Sequence, residues 1–338
     1  MVIKLYRSSL CSHQIMPKFT SFRSVSSLEH SIKTAVETKA YTQIPELLIP
    51  TKNQSLPNPN PFTFLSAYPL SQTTEIIDEI LQSFITIRPH SCLKLSYSCL
   101  LYYTFQTPNP LPIALSILQR SFRSGCQPEP QFRLLLASAW VRKRRKLYTV
   151  LNILRELESI GYYPDCSVCN YVLFSLCCVD QLGEAVHVLK CMSGAGCVPD
   201  LESYGNVIGS LCKAGKTGHA VELMKEMVVK SGLIPRQGTL VKLIAALRGN
   251  REIRVAVEMI EFLEKEGCVV GFECYEVLVE GCLESKDYVL AAKMVMRMTD
   301  KRFIPYIKVR QKVVDRLIDA GAWKIACAVR QRFAELNS

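Results

Sequence analysis

Small residues return along this chain at a fixed interval. Alanine stands at Ala114, Ala185, Ala220, Ala256, Ala291 and Ala326, with Val150 in the remaining slot, so successive steps are 36, 35, 35, 36, 35 and 35 residues. A glycine recurs at Gly125, Gly161, Gly196, Gly232 and Gly267, and a proline at Pro128, Pro164, Pro199, Pro235 and Pro305. Three features share one period, and a unit of this length holds two helices. Such a helix pair cannot bury both its apolar faces alone, so neighbouring pairs must stack on it. The expected fold is therefore all-α, a right-handed α-solenoid of helix-turn-helix repeats. The alanine lets the two helices of a unit approach closely, and the glycine supplies the left-handed residue with which many helices end.

The best-formed unit runs from Cys166 to Asp200. Cys166 to Val179 reads as a first helix, Asp180 to Gly183 as a polar turn, and Glu184 to Met192 as a second helix stopped by Gly194 and Gly196. The same register divides the chain into 94–129, 130–165, 166–200, 201–236, 237–271, 272–306 and a shorter 307–338. Residues 29–93 read as divergent amino-terminal helices with a linker. Within them a helix is expected from Leu28 to Tyr41, interrupted at Pro45, followed by the Pro/Asn/Ser stretch Thr51 to Pro61 and a second helix over Thr73 to Ile87.

The stretch SYGNVIGSLCKAGKTGHAVELMKEMVVKSGLIPR, Ser203 to Arg236, resembles the pentatricopeptide repeat. Leu211-Cys212-Lys213-Ala214-Gly215 and the closing Pro199-Asp200 separate it from the tetratricopeptide repeat, whose unit is shorter. The resemblance implies a plant-type organellar protein of the pure-repeat subclass, binding single-stranded RNA with about one base per unit. It also implies where each base is read: at the fifth residue of a unit and at its last residue, with the second residue packing against bases. In the unit 166–200 these are Asn170, Asp200 and Ser167, a combination that the family uses for pyrimidines, uracil preferred. The equivalent pairs elsewhere are Ser98 with Glu129, Gly205 with Arg236, Val241 with Gly271, and Glu276 with Tyr306. Gly and Val offer no side-chain hydrogen bond to a base edge.

Residues 1–28 hold Lys4, Arg7, Lys18 and Arg23, seven serines and no acid before Glu29. That is the composition of an organelle transit peptide, removed before folding; a disordered basic tail is the alternative. Val2, Ile3, Leu5, Tyr6 and Leu10 can share a helix with the basic residues, which favours the mitochondrion, with the chloroplast as the alternative. No apolar run approaches the roughly 18 residues that span a bilayer, so no membrane partner is expected. Leu134 to Val141, among the longest such runs, is expected to be a buried first helix.

Catalytic and metal chemistry find little support. Cys166 and Cys169 have CxxC spacing, but zinc needs about four ligands and no second pair exists, so no metal site is expected and the 15 cysteines read as small core residues. None of the five histidines is followed two positions on by glutamate, which a zinc deaminase requires, and His187 and His219 read as surface residues. The expectation is a protein without enzymatic activity or cofactor.

Charge points instead to a polyanion. The net charge is +11, with a basic run Arg142, Lys143, Arg144 and Arg145 placed in the turn of its unit and seven basic residues between Lys308 and Arg332. Cations in excess along a solenoid suit phosphate contacts, and equally a solvated surface. Two readings follow. One is an organellar RNA-binding protein in transcript processing, stability or translation. The other is a scaffold subunit of an organellar ribonucleoprotein, such as the mitochondrial ribosome, whose partners are ribonucleoprotein subunits.

Overall fold

The computed structural model describes residues 25–48, 57, 59–146, 148–158 and 161–335. Among them are seventeen α-helices and no strand. The first helices of the units are α4 (Lys94–Phe105), α6 (Gln131–Arg144), α8 (Cys166–Cys178), α10 (Leu201–Lys213), α12 (Gln237–Gly249), α14 (Phe272–Glu284) and α16 (Ile307–Asp319). The second helices are α5 (Leu111–Arg123), α7 (Val150–Arg155), α9 (Leu182–Cys191), α11 (Thr217–Val229), α13 (Ile253–Lys265), α15 (Tyr288–Asp300) and α17 (Trp323–Glu335). Each first helix except α6 packs closely on its own second helix, and consecutive first helices pack side by side from α4 to α14. This is the stacked array that the period demands.

The periodic residues do what their chemistry allows. Ala114, Ala185, Ala220, Ala256 and Ala291 have no exposed surface, and Ala326 has 1%. Gly125, Gly161, Gly196, Gly232 and Gly267 all take positive φ, between 63° and 79°. At the equivalent place in the unit 272–306 stands Arg302, which adopts φ 63° without being a glycine. A second left-handed residue, a glycine in only two cases, closes the turn inside most units: Asp180, Gly215, Arg251, Lys286 and Gly321.

Three expectations need correction, and one observation bears on the amino-terminal boundary. Val25–Leu28 belong to α1 (Val25–Glu37), and Leu28 is buried with Ile32, Ala35 and Val36 in a helical stripe. A segment removed up to residue 28 would cut into that helix; residues 1–24 lie outside the described residues. Pro45 does not interrupt a helix but sits in the first turn of α2 (Ile44–Leu48), where its missing N–H costs nothing. The far end of the Pro/Asn stretch is core: Asn60 is buried, donates to the Cys99 carbonyl at 2.8 Å and accepts from Phe62 N at 3.0 Å. Finally α6 is not wholly buried, since Leu134 is 55% exposed and Leu135 36%.

The array carries one defect. The helix α7 has six residues where its counterparts have ten to thirteen, so it fails to separate its neighbours, and α5 packs directly on α8. Gln119 of α5 donates to Asp165, and the Tyr162 hydroxyl donates to Asp78 on α3 (Leu70–Ser83), 84 residues away.

Candidate RNA-binding face

Asp200 is the N-cap of α10. Its Oδ1 accepts from Glu202 N at 2.9 Å and Ser203 N at 2.8 Å, and the Ser203 hydroxyl returns to the Asp200 backbone, completing a capping box. From α8, Asn170 reaches this cap. Its Nδ2 donates to Asp200 Oδ1 and Oδ2 at 3.2 and 3.4 Å, and its Oδ1 accepts from the Ser203 hydroxyl at 2.6 Å. Burial by itself would raise the Asp200 carboxyl, but hydrogen bonds from Ser203 N, Asn170, the Ser203 hydroxyl and Glu202 N outweigh it and hold the group below its ordinary range. Asn170 is 6% exposed and therefore fixed in one orientation before any ligand arrives.

This pair lines an open cleft of about 390 Å³ with Ser167, Arg133, Phe174 and Asn206. Ser167 is exposed at the rim. The Arg133 guanidinium lies 4.5 Å from the Phe174 ring centroid. Two polar atoms here are buried without a protein partner, Tyr171 Oη and Arg133 Nε. Burial pushes the Tyr171 hydroxyl up to about 12, against the charge of Arg133 and a loose polar contact with its guanidinium, so the group enters any complex as a neutral donor and acceptor. Arg133, Tyr171 and Phe174 were not among the expected site residues. Two of them, Tyr171 and Phe174, stand three places apart on one helix face, a spacing that in the sequence reads equally as core.

The basic run divides in two. Lys143, with a side chain only 10% exposed, pairs with Glu156, and Arg144 makes a two-pronged contact to Glu184 at 2.9 and 3.3 Å. These two cations are spent inside the fold. Arg142 and Arg145 are exposed, Arg142 in the last turn of α6 and Arg145 as its C-cap, rather than all four standing in a loop.

Comparison with known proteins now decides the family. A pentatricopeptide repeat-containing protein of Arabidopsis thaliana is 59% identical over 323 residues, 96% of this chain and 94% of the relative. The chain belongs to the pentatricopeptide repeat family. The family's repeat model matches residues 195–228, which contain α10 and most of α11. Among solved structures, the pentatricopeptide repeat protein PPR10 from maize aligns with 93% of this chain at 15% identity and a TM-score of 0.42. PPR10 in complex with an 18-nucleotide psaJ RNA element aligns with 95% at 14% identity and a TM-score of 0.35. The chain spans 55% and 57% of those two proteins.

Across the other pentatricopeptide units the fifth and last residues are engaged differently. Ser98 is buried, and Glu129 accepts from Gln131. Gly271 N donates to Gln237 Oε1 at 2.9 Å. Tyr306 is 62% exposed and stands edge-on to Phe272. Glu276 shares its helix face with Glu273 and Glu280; burial, then those two charges, raise its carboxyl above the ordinary range. Arg248 from α12 pairs with Glu280 and Glu284 and so offsets part of this acidic stretch. His187 and His219 are exposed. No described group of three His, Cys, Asp or Glu side chains is placed to hold a metal, and no described helix is long and apolar enough to cross a membrane.

Proposed function

We propose that this pentatricopeptide repeat protein binds single-stranded RNA in an organelle and acts there in transcript processing, stability or translation. The observation that carries the reading is the Asn170/Asp200 pair, preset by the α10 cap in a cleft that also holds the unpartnered Tyr171 hydroxyl. An orphaned polar atom beside a fixed amide suits a ligand that brings its own donors and acceptors, as a base edge does. Ser167, Arg142 and Arg145 are exposed, which supports a role for Ser167 in packing on that base and for the two arginines in phosphate contacts. Binding of uridine-rich single strands by the purified protein, weakened at one base by Asn170→Ala, is the expected result. Affinity no greater than that of a neutral helical repeat of equal length refutes the reading.

A second reading, a scaffold subunit of an organellar ribonucleoprotein, is favoured by the acidic face of α14. Glu273, Glu276 and Glu280 interrupt the track a phosphate chain would follow. Crosslinking followed by pull-down separates the two: free transcripts support the first, ribosomal proteins with ribosomal RNA the second. Import is part of both readings, with the mitochondrion favoured over the chloroplast, and fusing residues 1–24 to a fluorescent protein tests it.

A further inference from the structure

Asn170 and Asp200 occupy one side of their cleft, and the other side has unmet hydrogen bonds of its own. Arg133 enters from α6, in the preceding unit, and lays its guanidinium 4.5 Å from the centroid of Phe174. Tyr171, three places before Phe174 on α8, meets Phe122 in an edge contact, with centroids 5.4 Å apart. Arg133, Tyr171 and Phe174 line the same cleft as Asn170 and Asp200. Tyr171 is 7% exposed and its Oη has no partner; Arg133 Nε is likewise buried without one, and its guanidinium has no carboxylate partner among the described residues. A guanidinium offers donors only, and a tyrosine that accepts from it still has its own O–H to place. The acceptors of the pair are already committed: Asn170 Oδ1 takes the Ser203 hydroxyl, and Asp200 takes Asn170, Glu202 N and Ser203 N. The missing partner is therefore an acceptor that the ligand brings, and beside a fixed positive charge an anionic one is favoured. At the opposite end Asp200 and the exposed Glu202 repel an anion. The cleft is thus negative towards α10 and positive towards α6.

We propose that Arg133 and Tyr171 hold one backbone phosphate of the strand whose base lies on Asn170 and Asp200, so that two adjacent units grip a single nucleotide. This rests on the RNA-binding reading and deepens it by assigning the backbone subsite. The base edge then answers to the Asn170 amide, and the backbone to the Arg133 guanidinium and the Tyr171 hydroxyl. Unit 130–165 presents the exposed Leu134 and Leu135 about its fifth place, where no side-chain hydrogen bond to a base is available. It contributes Arg133 to its neighbour's nucleotide instead. The Phe174 ring fixes the guanidinium before the ligand arrives, so little side-chain freedom is lost on binding.

The test uses the full chain and a uridine-containing single strand in which one linkage at a time is a methylphosphonate, with a methyl group in place of the charged oxygen. The nucleotide in the cleft is first located as the position whose uridine preference Asn170→Ala removes. One of its two flanking linkages should then cost about tenfold in affinity when neutral, the scale of one charge-assisted hydrogen bond, and cost nothing in Arg133→Gln. Tyr171→Phe should weaken the all-phosphate strand by about threefold yet leave the unfolding midpoint unchanged or higher, because it deletes a buried hydroxyl without a partner. A lower midpoint with unchanged affinity would mean that the hydroxyl serves the fold alone, and overturns its part in the subsite. Should Arg133→Gln not fold, the same walk on Tyr171→Phe takes its place, and the sensitive linkage should lose part of its effect. Neutral linkages that act alike at every position, or equally in wild type and variant, overturn the subsite while base reading stands. If the variant instead becomes blind to a 2′-deoxy sugar at the located nucleotide, the group held is the ribose hydroxyl and the phosphate assignment is overturned. A strand without measurable affinity, or without any position that Asn170→Ala changes, overturns the proposal together with the base-reading assignment.

Discussion

Asp200 is asked to cap a helix and to hold a base-reading amide, and the two duties can be separated by substitution. Asp200→Ala removes the acceptor for Glu202 N and Ser203 N, a loss of about 1 kcal/mol for a typical N-cap. It also strips a partner from the buried Asn170 amide, which costs roughly a further 1–3 kcal/mol. Because both contacts share Oδ1, the sum is about 2–3 kcal/mol rather than the full total. Asparagine caps as well as aspartate and still offers an oxygen to Asn170, so Asp200→Asn should lie within about 0.5 kcal/mol of wild type. Urea unfolding followed by far-ultraviolet circular dichroism reads both. The carboxyl also sets a sign with pH. Because it is depressed in the folded chain, its stabilisation is present above the ordinary aspartate range and disappears as pH falls through the lowered folded value. Asp200→Asn should flatten that acid limb. An unchanged midpoint in Asp200→Ala, or equal damage from alanine and asparagine, refutes the capping argument.

Three further outcomes are expected. Lys143→Ala and Arg144→Ala should each destabilise the protein by about 1–3 kcal/mol, because Glu156 loses the Lys143 ammonium and Glu184 the Arg144 guanidinium; by contrast, Arg142→Gln and Arg145→Gln should leave the unfolding midpoint in place and each lower the salt slope of RNA binding by about 0.7. Glu276→Gln should raise affinity for single-stranded RNA at neutral pH; in wild type the same gain should appear as pH falls through the raised Glu276 value, and a titration of affinity that is identical in both proteins contradicts this. Arg302→Gly should stabilise by roughly 0.5–1 kcal/mol, since glycine accepts φ 63° without a Cβ penalty; a lower thermal midpoint would mean that the arginine side chain contributes more than its backbone costs.

What could be read in advance follows from the range of each interaction. Repeating contacts leave a period, so the first helices starting at Lys94, Cys166, Leu201, Gln237, Phe272 and Ile307 coincide with the first residues of units found by counting alanines and prolines. The contact of Asn170 with Asp200 spans 30 residues, within one period, and the family resemblance pointed to both residues. Contacts that do not repeat leave no such trace. Nothing in a run of four cations tells that Lys143 and Arg144 face Glu156 and Glu184, because those glutamates stand 13 and 40 residues away. Tyr171 and Arg133 were equally hidden: an aromatic at a helix position reads as core until its hydroxyl is found without a partner. The serine-rich lead masked the start of α1, whose stripe Leu28, Ile32, Ala35 and Val36 was nonetheless present in the letters.

The short α7 has a bearing on how the chain comes apart. In an array whose units touch only their neighbours, opening travels from an end one unit at a time, as in a one-dimensional zipper. Here α5 lies on α8 and Tyr162 is tied to Asp78, so the segment from α3 to α8 is cross-linked by contacts that skip a unit. That amino-terminal block must open together, giving its amides one shared exchange rate, while the units beyond Leu201 are free to peel from the carboxyl end in succession. A missing turn of helix thereby gives a linear polymer a cooperative half.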